Sequence, residues 1–201
     1  MMPAAQSLMS ELDATLSKIP GSRHLVILQR VTDLFLLGTG TYTEEQISIF
    51  DDVISRLIEN MDSAALIELS KRLSAHGLVP ANVAARLSSC DDIAVSGPAL
   101  EKSEALTDAT LVDIAGKKSQ KHLAAIAGRS KLSELVTDVL VERGNSDVSH
   151  KISTNLGARI SEIGFVKLIN RAKKDKALAT AIANRGDLPD ELMPFLKLAL
   201  T

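Results

Sequence analysis

Gly116-Lys-Lys-Ser-Gln-Lys-His-Leu-Ala-Ala-Ile-Ala-Gly-Arg-Ser-Lys-Leu132 returns 56 residues later as Ala172-Lys-Lys-Asp-Lys-Ala-Leu-Ala-Thr-Ala-Ile-Ala-Asn-Arg-Gly-Asp-Leu188. Seven of the 17 positions are identical: Lys117/Lys173, Lys118/Lys174, Ala125/Ala181, Ile126/Ile182, Ala127/Ala183, Arg129/Arg185 and Leu132/Leu188. Both copies read as a short helix, with apolar residues three and four apart and a hydroxyl or carboxylate at the start. The preceding stretches also match, at an offset of 54. Leu106-Thr-Asp-Ala-Thr-Leu-Val112 parallels Ile160-Ser-Glu-Ile-Gly-Phe-Val166, each with a hydroxyl N-cap and then an acid at the positive end of the helix dipole. Asp92-Ile93 parallels Asp147-Val148, which gives both aspartates an N-cap reading, and Leu69-Ser-Lys-Arg72 parallels Ile126-Ala-Gly-Arg129. A 56-residue unit therefore holds four short helices, or two hairpins of about 27 residues.

One hairpin cannot bury both of its apolar faces, whereas stacked hairpins share a continuous core. The expected fold is all-α: an α-solenoid of short stacked hairpins over residues 63–201, with residues 1–62 as an N-terminal helical cap or small bundle. Working outward, nearly every stretch reads as helix. Leu and Ala dominate, and β-branched alternation is absent. A helix is expected over residues 7–18. Gly38-Thr39-Gly40 breaks the next one, and Thr43-Glu-Glu-Gln46 reads as a capping box. Asp62 or Ser63 starts the following helix, Gly77 ends it, and Pro80 suits the first turn of another. Gly97-Pro98 predicts a break or kink.

The stretches Arg86-Leu-Ser-Ser-Cys-Asp-Asp-Ile-Ala-Val-Ser-Gly-Pro-Ala-Leu-Glu-Lys-Ser-Glu-Ala-Leu106, Asn155-Leu-Gly-Ala-Arg-Ile-Ser161 and Ala183-Asn-Arg-Gly-Asp-Leu-Pro189 carry a resemblance. Through them residues 69–200, two-thirds of the chain, resemble the bacterial domain-of-unknown-function family 2336, related in style to HEAT repeats. Where that pattern has Leu-Ala before the aspartates, this chain has Leu87-Ser88. The resemblance implies a helical-repeat fold and no known activity.

Composition narrows the function. The 201 residues are 45% apolar, 2% aromatic and 24% charged, with a net charge of −2. That balance excludes disorder. One cysteine, Cys90, excludes a disulfide framework and a cysteine-based zinc site. No Trp and few aromatics argue against nucleic-acid stacking. No apolar run approaches the ~20 residues that span a bilayer. The N-terminus, with Glu11 and Asp13, does not read as a secretory signal, so the expected location is cytoplasmic. Charge is asymmetric: residues 1–100 carry 7 basic and 12 acidic side chains, net −5, and residues 101–201 carry 16 and 13, net +3.

Among candidate sites, Arg129 and Arg185 stand at helix ends, where a guanidinium bonds terminal carbonyls or pairs with an aspartate such as Asp147. Lys117, Lys118, Lys173 and Lys174 occupy equivalent turns. With Lys121 and Lys176, and with Lys167 and Arg171 on the preceding helix, they would form a basic rim for an acidic protein partner, nucleic acid or anionic lipid, the competing reading being a solvated face. The four histidines lack zinc-helix spacing, and Asp147-Val-Ser-His150 offers at most a ligand pair without a third. No nucleophile elbow, phosphate loop or dinucleotide loop is present. Cys90 precedes Asp91 and Asp92, whose charge would raise its pKa and make it a poor nucleophile. The expectation is therefore a non-enzymatic interaction module or regulatory scaffold needing no cofactor or metal, with a homodimer through exposed ends left open. A nucleic-acid-binding repeat protein and a phosphotransfer protein using His122 are the weaker alternatives.

Overall fold

The computed structural model describes residues 21–38, 40–59, 61–77 and 79–200; the helix expected over 7–18 lies outside them. The described residues form α-helices and one short 3-10 turn, and no strand. In chain order the helices are α1 (Gly21–Leu37), α2 (Glu44–Ile58), α3 (Ser63–Ala75), α4 (Ala81–Ser89), α5 (Ile93–Lys102) and α6 (Asp108–Lys117). There follow α7 (Gln120–Ala127), α8 (Glu134–Arg143), α9 (Ser146–Thr154), α10 (Glu162–Ala172), α11 (Lys176–Ala183) and α12 (Met193–Leu200).

Side-chain caps set most of these boundaries. Thr43 and Gln46 close a reciprocal capping box on α2. Asp62, Asp92, Thr107, Asn145, Ser161 and Asp175 each accept from a backbone N–H of the first turn they precede. Gly77, at φ +71°, ends α3 in the left-handed region that a side chain disfavours. The N-terminus of α4 is capped from outside its own helix. Pro80 offers no side-chain acceptor, and the buried carboxylate of Asp51 on α2 accepts from Asn82 N and Val83 N, both at 2.9 Å.

Two expectations are corrected. Pro98 neither breaks nor bends the assignment of α5, which runs through it to Lys102. The residue before a proline normally avoids the helical region because its Cβ meets the proline ring; Gly97 has no Cβ, so that penalty vanishes. Asp147 is not an N-cap: Asn145 accepts from Val148 N at 3.1 Å, and Asp147 stands in the first turn, where its charge meets the helix dipole.

The packing follows one rule. Odd-numbered helices pack in sequence, α1 on α3, α3 on α5 and so on to α11; even-numbered helices do the same from α2 to α12. Rungs such as α4–α5, α6–α7, α8–α9 and α10–α11 join the two rows. Every substantial helix contact is thus with a first or second neighbour in the chain. The N-caps Thr107, Ser133 and Ser161 of three successive even helices are 26 and 28 residues apart, so the structural unit is one hairpin and the 56-residue repeat is two.

The core runs between the rows. Leu73, Leu87, Leu100, Leu123, Ile126, Leu140, Ile152, Leu168 and Ile182 are fully buried. Small buried residues, among them Ala84, Ala99, Ala115, Ala127, Ser88 and Ser149, allow short helices to approach closely. Three of the five aromatics, Phe35, Tyr42 and Phe50, pack together between α1 and α2 with centroids 5.0–6.2 Å apart.

Candidate functional site

The two rows have two edges, and the turns of successive hairpins lie side by side along each. One edge holds the turns that leave odd helices. There a side chain following each of α7, α9 and α11 reaches back to the carbonyl end of the previous odd helix. Arg129, after α7, donates to Leu100 O at 2.7 Å and Ser103 O at 2.8 Å. Asn155, after α9, donates to Ala127 O and Arg129 O at 3.0 and 2.7 Å. Arg185, after α11, donates to Ile152 O, Asn155 O and Ala158 O, the last two at 2.8 and 2.7 Å, and pairs with Asp187. Neither Arg129 nor Arg185 reaches Asp147; their acceptors are chiefly helix-terminal carbonyls that would otherwise be orphaned. Arg185 is 4% exposed, and its guanidinium lies 5.8 Å from the Phe165 ring centroid. Burial pushes the Arg129 guanidinium below its usual range, with Asp108 and Glu104 opposing.

The same edge includes a backbone link. Leu132 N donates to Gly157 O at 3.1 Å, and Arg159 N donates to Leu132 O at 3.0 Å. Gly157 is required there, because a Cβ would stand 1.9 Å from Ser130 O.

The opposite edge holds the turns that leave even helices, and the lysine pairs lie on it. Lys118 Nζ donates to Ser89 O at 2.6 Å and Asp91 Oδ1 at 2.5 Å, at the end of α4. Arg143 donates to Ala115 O at the end of α6, and Arg171 donates to Gly144 O at 2.7 Å and Ser149 Oγ at 2.8 Å. Lys118, Arg143 and Arg171 thus repeat one interaction along the even row. Gln120 completes it, donating to Arg143 O and accepting from Asn145 N. Lys117 pairs with Asp113 one turn away at 2.5 Å, Lys167 pairs with Glu142, and Lys173 donates to Asn170 Oδ1 at 2.8 Å. Lys121, Lys174 and Lys176 are exposed. The six candidate lysines therefore lie on one edge: Lys118 is half-buried and tied to the end of α4, while the other five are exposed, Lys117 and Lys173 among them bonding to Asp113 and Asn170.

Acids share this edge. The hydrogen bond from Lys118 holds the Asp91 carboxyl below its ordinary range, and Lys167 does the same for Glu142. Asp175 is lowered chiefly by the Leu178 N–H it caps, then by His150, whose Nε2 lies 2.9 Å from Asp175 Oδ2. The His122 ring is 2% exposed and is held between Ser119 Oγ at 2.8 Å and Cys90 O at 3.1 Å, both ring nitrogens occupied. Burial chiefly pushes the Cys90 thiol up; Lys118 opposes, and Asp91 and Asp92 add to the rise. Among the described residues no group of three or more His, Cys, Asp or Glu side chains could hold a metal ion. No described helix is long and apolar enough to cross a membrane.

Asp51, Asn155, Arg143 and Gln120 are missed by sequence reasoning, because their partners are 23 to 32 residues away. The 56-residue match flagged Arg129 with Arg185, but Asn155 stands between them chemically altered, an amide doing a guanidinium's work.

No curated protein and no solved structure matches the chain. A family model, described as an uncharacterised protein conserved in bacteria, matches residues 95–196, a span from α5 into α12 that contains both copies of the repeat. The chain belongs to that family, DUF2336.

Proposed function

We propose that the chain is a non-enzymatic α-solenoid of HEAT-like hairpins, with residues 1–62 capping a stack that continues over 63–201. Its task is to bind an acidic protein partner through the edge bearing Lys121, Lys174 and Lys176. The supporting observation is that equivalent turns place cations along one edge while Lys118, Arg143 and Arg171 hold that edge rigid from behind. Rigid, repeated turns present charge at fixed spacing, and exposed lysines opposite carboxylates raise association rates more than they add affinity. A cytoplasmic location accords with this reading.

The test is affinity capture from native lysate with wild type and with K121E/K174E/K176E. Loss of an acidic partner in the triple variant, with folding intact, supports the reading; equal recovery overturns it. Solution scattering tests the architecture separately. A compact globule of this length has a radius of gyration near ~16–17 Å, and a value at that figure would refute an elongated stack.

A further inference from the structure

Among the described residues between 50 and 134 no large apolar side chain is exposed, yet the even helices that follow show several. The N-caps Thr107, Ser133 and Ser161 are each followed by an acid and then by Ala109, Leu135 and Ile163, so these three hold equivalent places on α6, α8 and α10. Leu135 and Ile163 are 69% and 68% exposed. Val166 on α10 and Phe195 and Leu198 on α12 are exposed as well, while Leu168, Ile169, Leu196 and Ala199 of the same helices are buried. The face that carries them is braced. Arg159 pairs with Glu134 at 3.1 Å, Ser161 Oγ donates to Asp138 Oδ1 at 2.6 Å, and Lys167 pairs with Glu142, three ties from α10 and the turn before it to α8. Leucine and isoleucine left in water add nothing to folding, and apolar side chains that recur at one exposed place mark an interaction surface.

We propose that the outer face of α8, α10 and α12 binds an amphipathic helix of a partner protein, one whose apolar stripe is flanked by lysine or arginine. Spacing and charge select that occupant. Neighbouring helices of a row lie about 8–10 Å apart, and a helix laid across them repeats one side every seven residues, about 10.5 Å. Its anchors at i, i+7 and i+14 meet Leu135, then Ile163 with Val166, then Phe195 with Leu198. Glu134, Asp138 and Glu142 lie on α8, Glu162 on α10, and Asp190 and Glu191 in the turn before α12. Against these six exposed carboxylates stand three exposed cations, Arg159, Lys167 and Lys197. Arg143 and Arg171, the other cations of these helices, are bonded to carbonyls at the lysine edge. The excess of acid favours a basic partner and repels an anionic lipid surface. The face uses none of Lys121, Lys174 and Lys176, so it stands apart from the proposed function.

The probes are three labelled peptides of about four helical turns. The first has leucines at helical spacing with lysine between them, the second has glutamate for lysine, and the third scrambles the lysine peptide so that the stripe is lost. Fluorescence anisotropy measures their binding to the full chain. The lysine peptide should bind saturably and about tenfold or more tighter than the other two. L135S/I163S should weaken it by about tenfold or more, as loss of buried anchors does. E162Q/E191Q should weaken it severalfold, most clearly at low salt. K121E/K174E/K176E should not weaken it, which keeps this test separate from that of the lysine edge. All the substituted side chains are exposed, so the variants are expected to fold, and a thermal midpoint checks each. Equal binding of the scrambled peptide, or undiminished binding by L135S/I163S, would overturn the inference. So would a wild-type dimer in sedimentation that L135S/I163S makes monomeric, because a second copy would then cover the face, or binding to phosphatidylserine vesicles that the same variant abolishes.

Discussion

The two edges of the helix rows solve one problem with different chemistry. Each must satisfy helix-terminal carbonyls that short helices expose at high frequency. At the edge that leaves the odd helices, Arg185 and Asn155 sink into the turns and each serves several carbonyls. At the other, Lys118, Arg143 and Arg171 reach along the surface while further lysines stay in solvent. Guanidiniums hold carbonyls on both edges, because a planar fork is weakly hydrated and can lie among them; the lysines that stay in solvent, Lys121 and Lys174, belong to the second edge, as suits a strongly hydrated ammonium. The difference separates cations tied to backbone carbonyls from cations whose side chains stay exposed.

The largest break in that contrast should come from R185M. It keeps the aliphatic stem and leaves the carbonyls of Asn155 and Ala158 without their donor, which should cost about 3 kcal/mol or more in chemical denaturation. Next is G157A, where the new Cβ meets Ser130 O; overpacking of this kind costs roughly 1–3 kcal/mol, and the backbone link between Leu132 and Gly157 should lose amide-exchange protection first. K118M, on the opposite edge, removes one donor to Ser89 O and should cost only about 1 kcal/mol by the same assay.

Asp175 gives a pH-dependent comparison. Its folded pKa lies below the ordinary carboxylate value of about 3.9. The carboxylate therefore stabilises the fold above that value, and the contribution disappears as pH falls through the lower folded value. D175N should flatten the acid limb of stability measured between about pH 5 and pH 2 and leave the neutral-pH shape of the curve unchanged. The smallest effect belongs to K121E/K174E, both exposed, which should move the thermal midpoint by an amount equivalent to within about 0.5 kcal/mol. A large loss there would mean that these lysines hold the fold as Lys118 does, and the contrast between the edges would fail.

The helical class was legible because its signals are local. Thr43 with Gln46, Asp62, Thr107 and Ser161 cap within four residues of themselves, and apolar spacing of three and four marks the buried face. Where a local signal met a second local fact, the reading went astray. Pro98 alone predicts a break, while Gly97 beside it removes the clash; Asp147 copies the spacing of Asp92, while Asn145 takes the cap two residues earlier. The lysine pairs were visible as a pattern, but their division into held and exposed members was not. Lys117 and Lys118 are neighbours in sequence, yet one pairs along its own helix and the other crosses 29 residues to Ser89.

By itself, then, the sequence determined that this chain makes many short capped helices and repeats them at a near-constant interval. Hydrogen bonding within four residues and burial of one helical face do not need a partner to be specified. Only the tertiary structure decided which cations sit among carbonyls, which remain in water, and that Asp51 caps a helix other than its own. Those outcomes depend on which helix end stands within a side chain's reach, and that distance exists only once the two rows have packed.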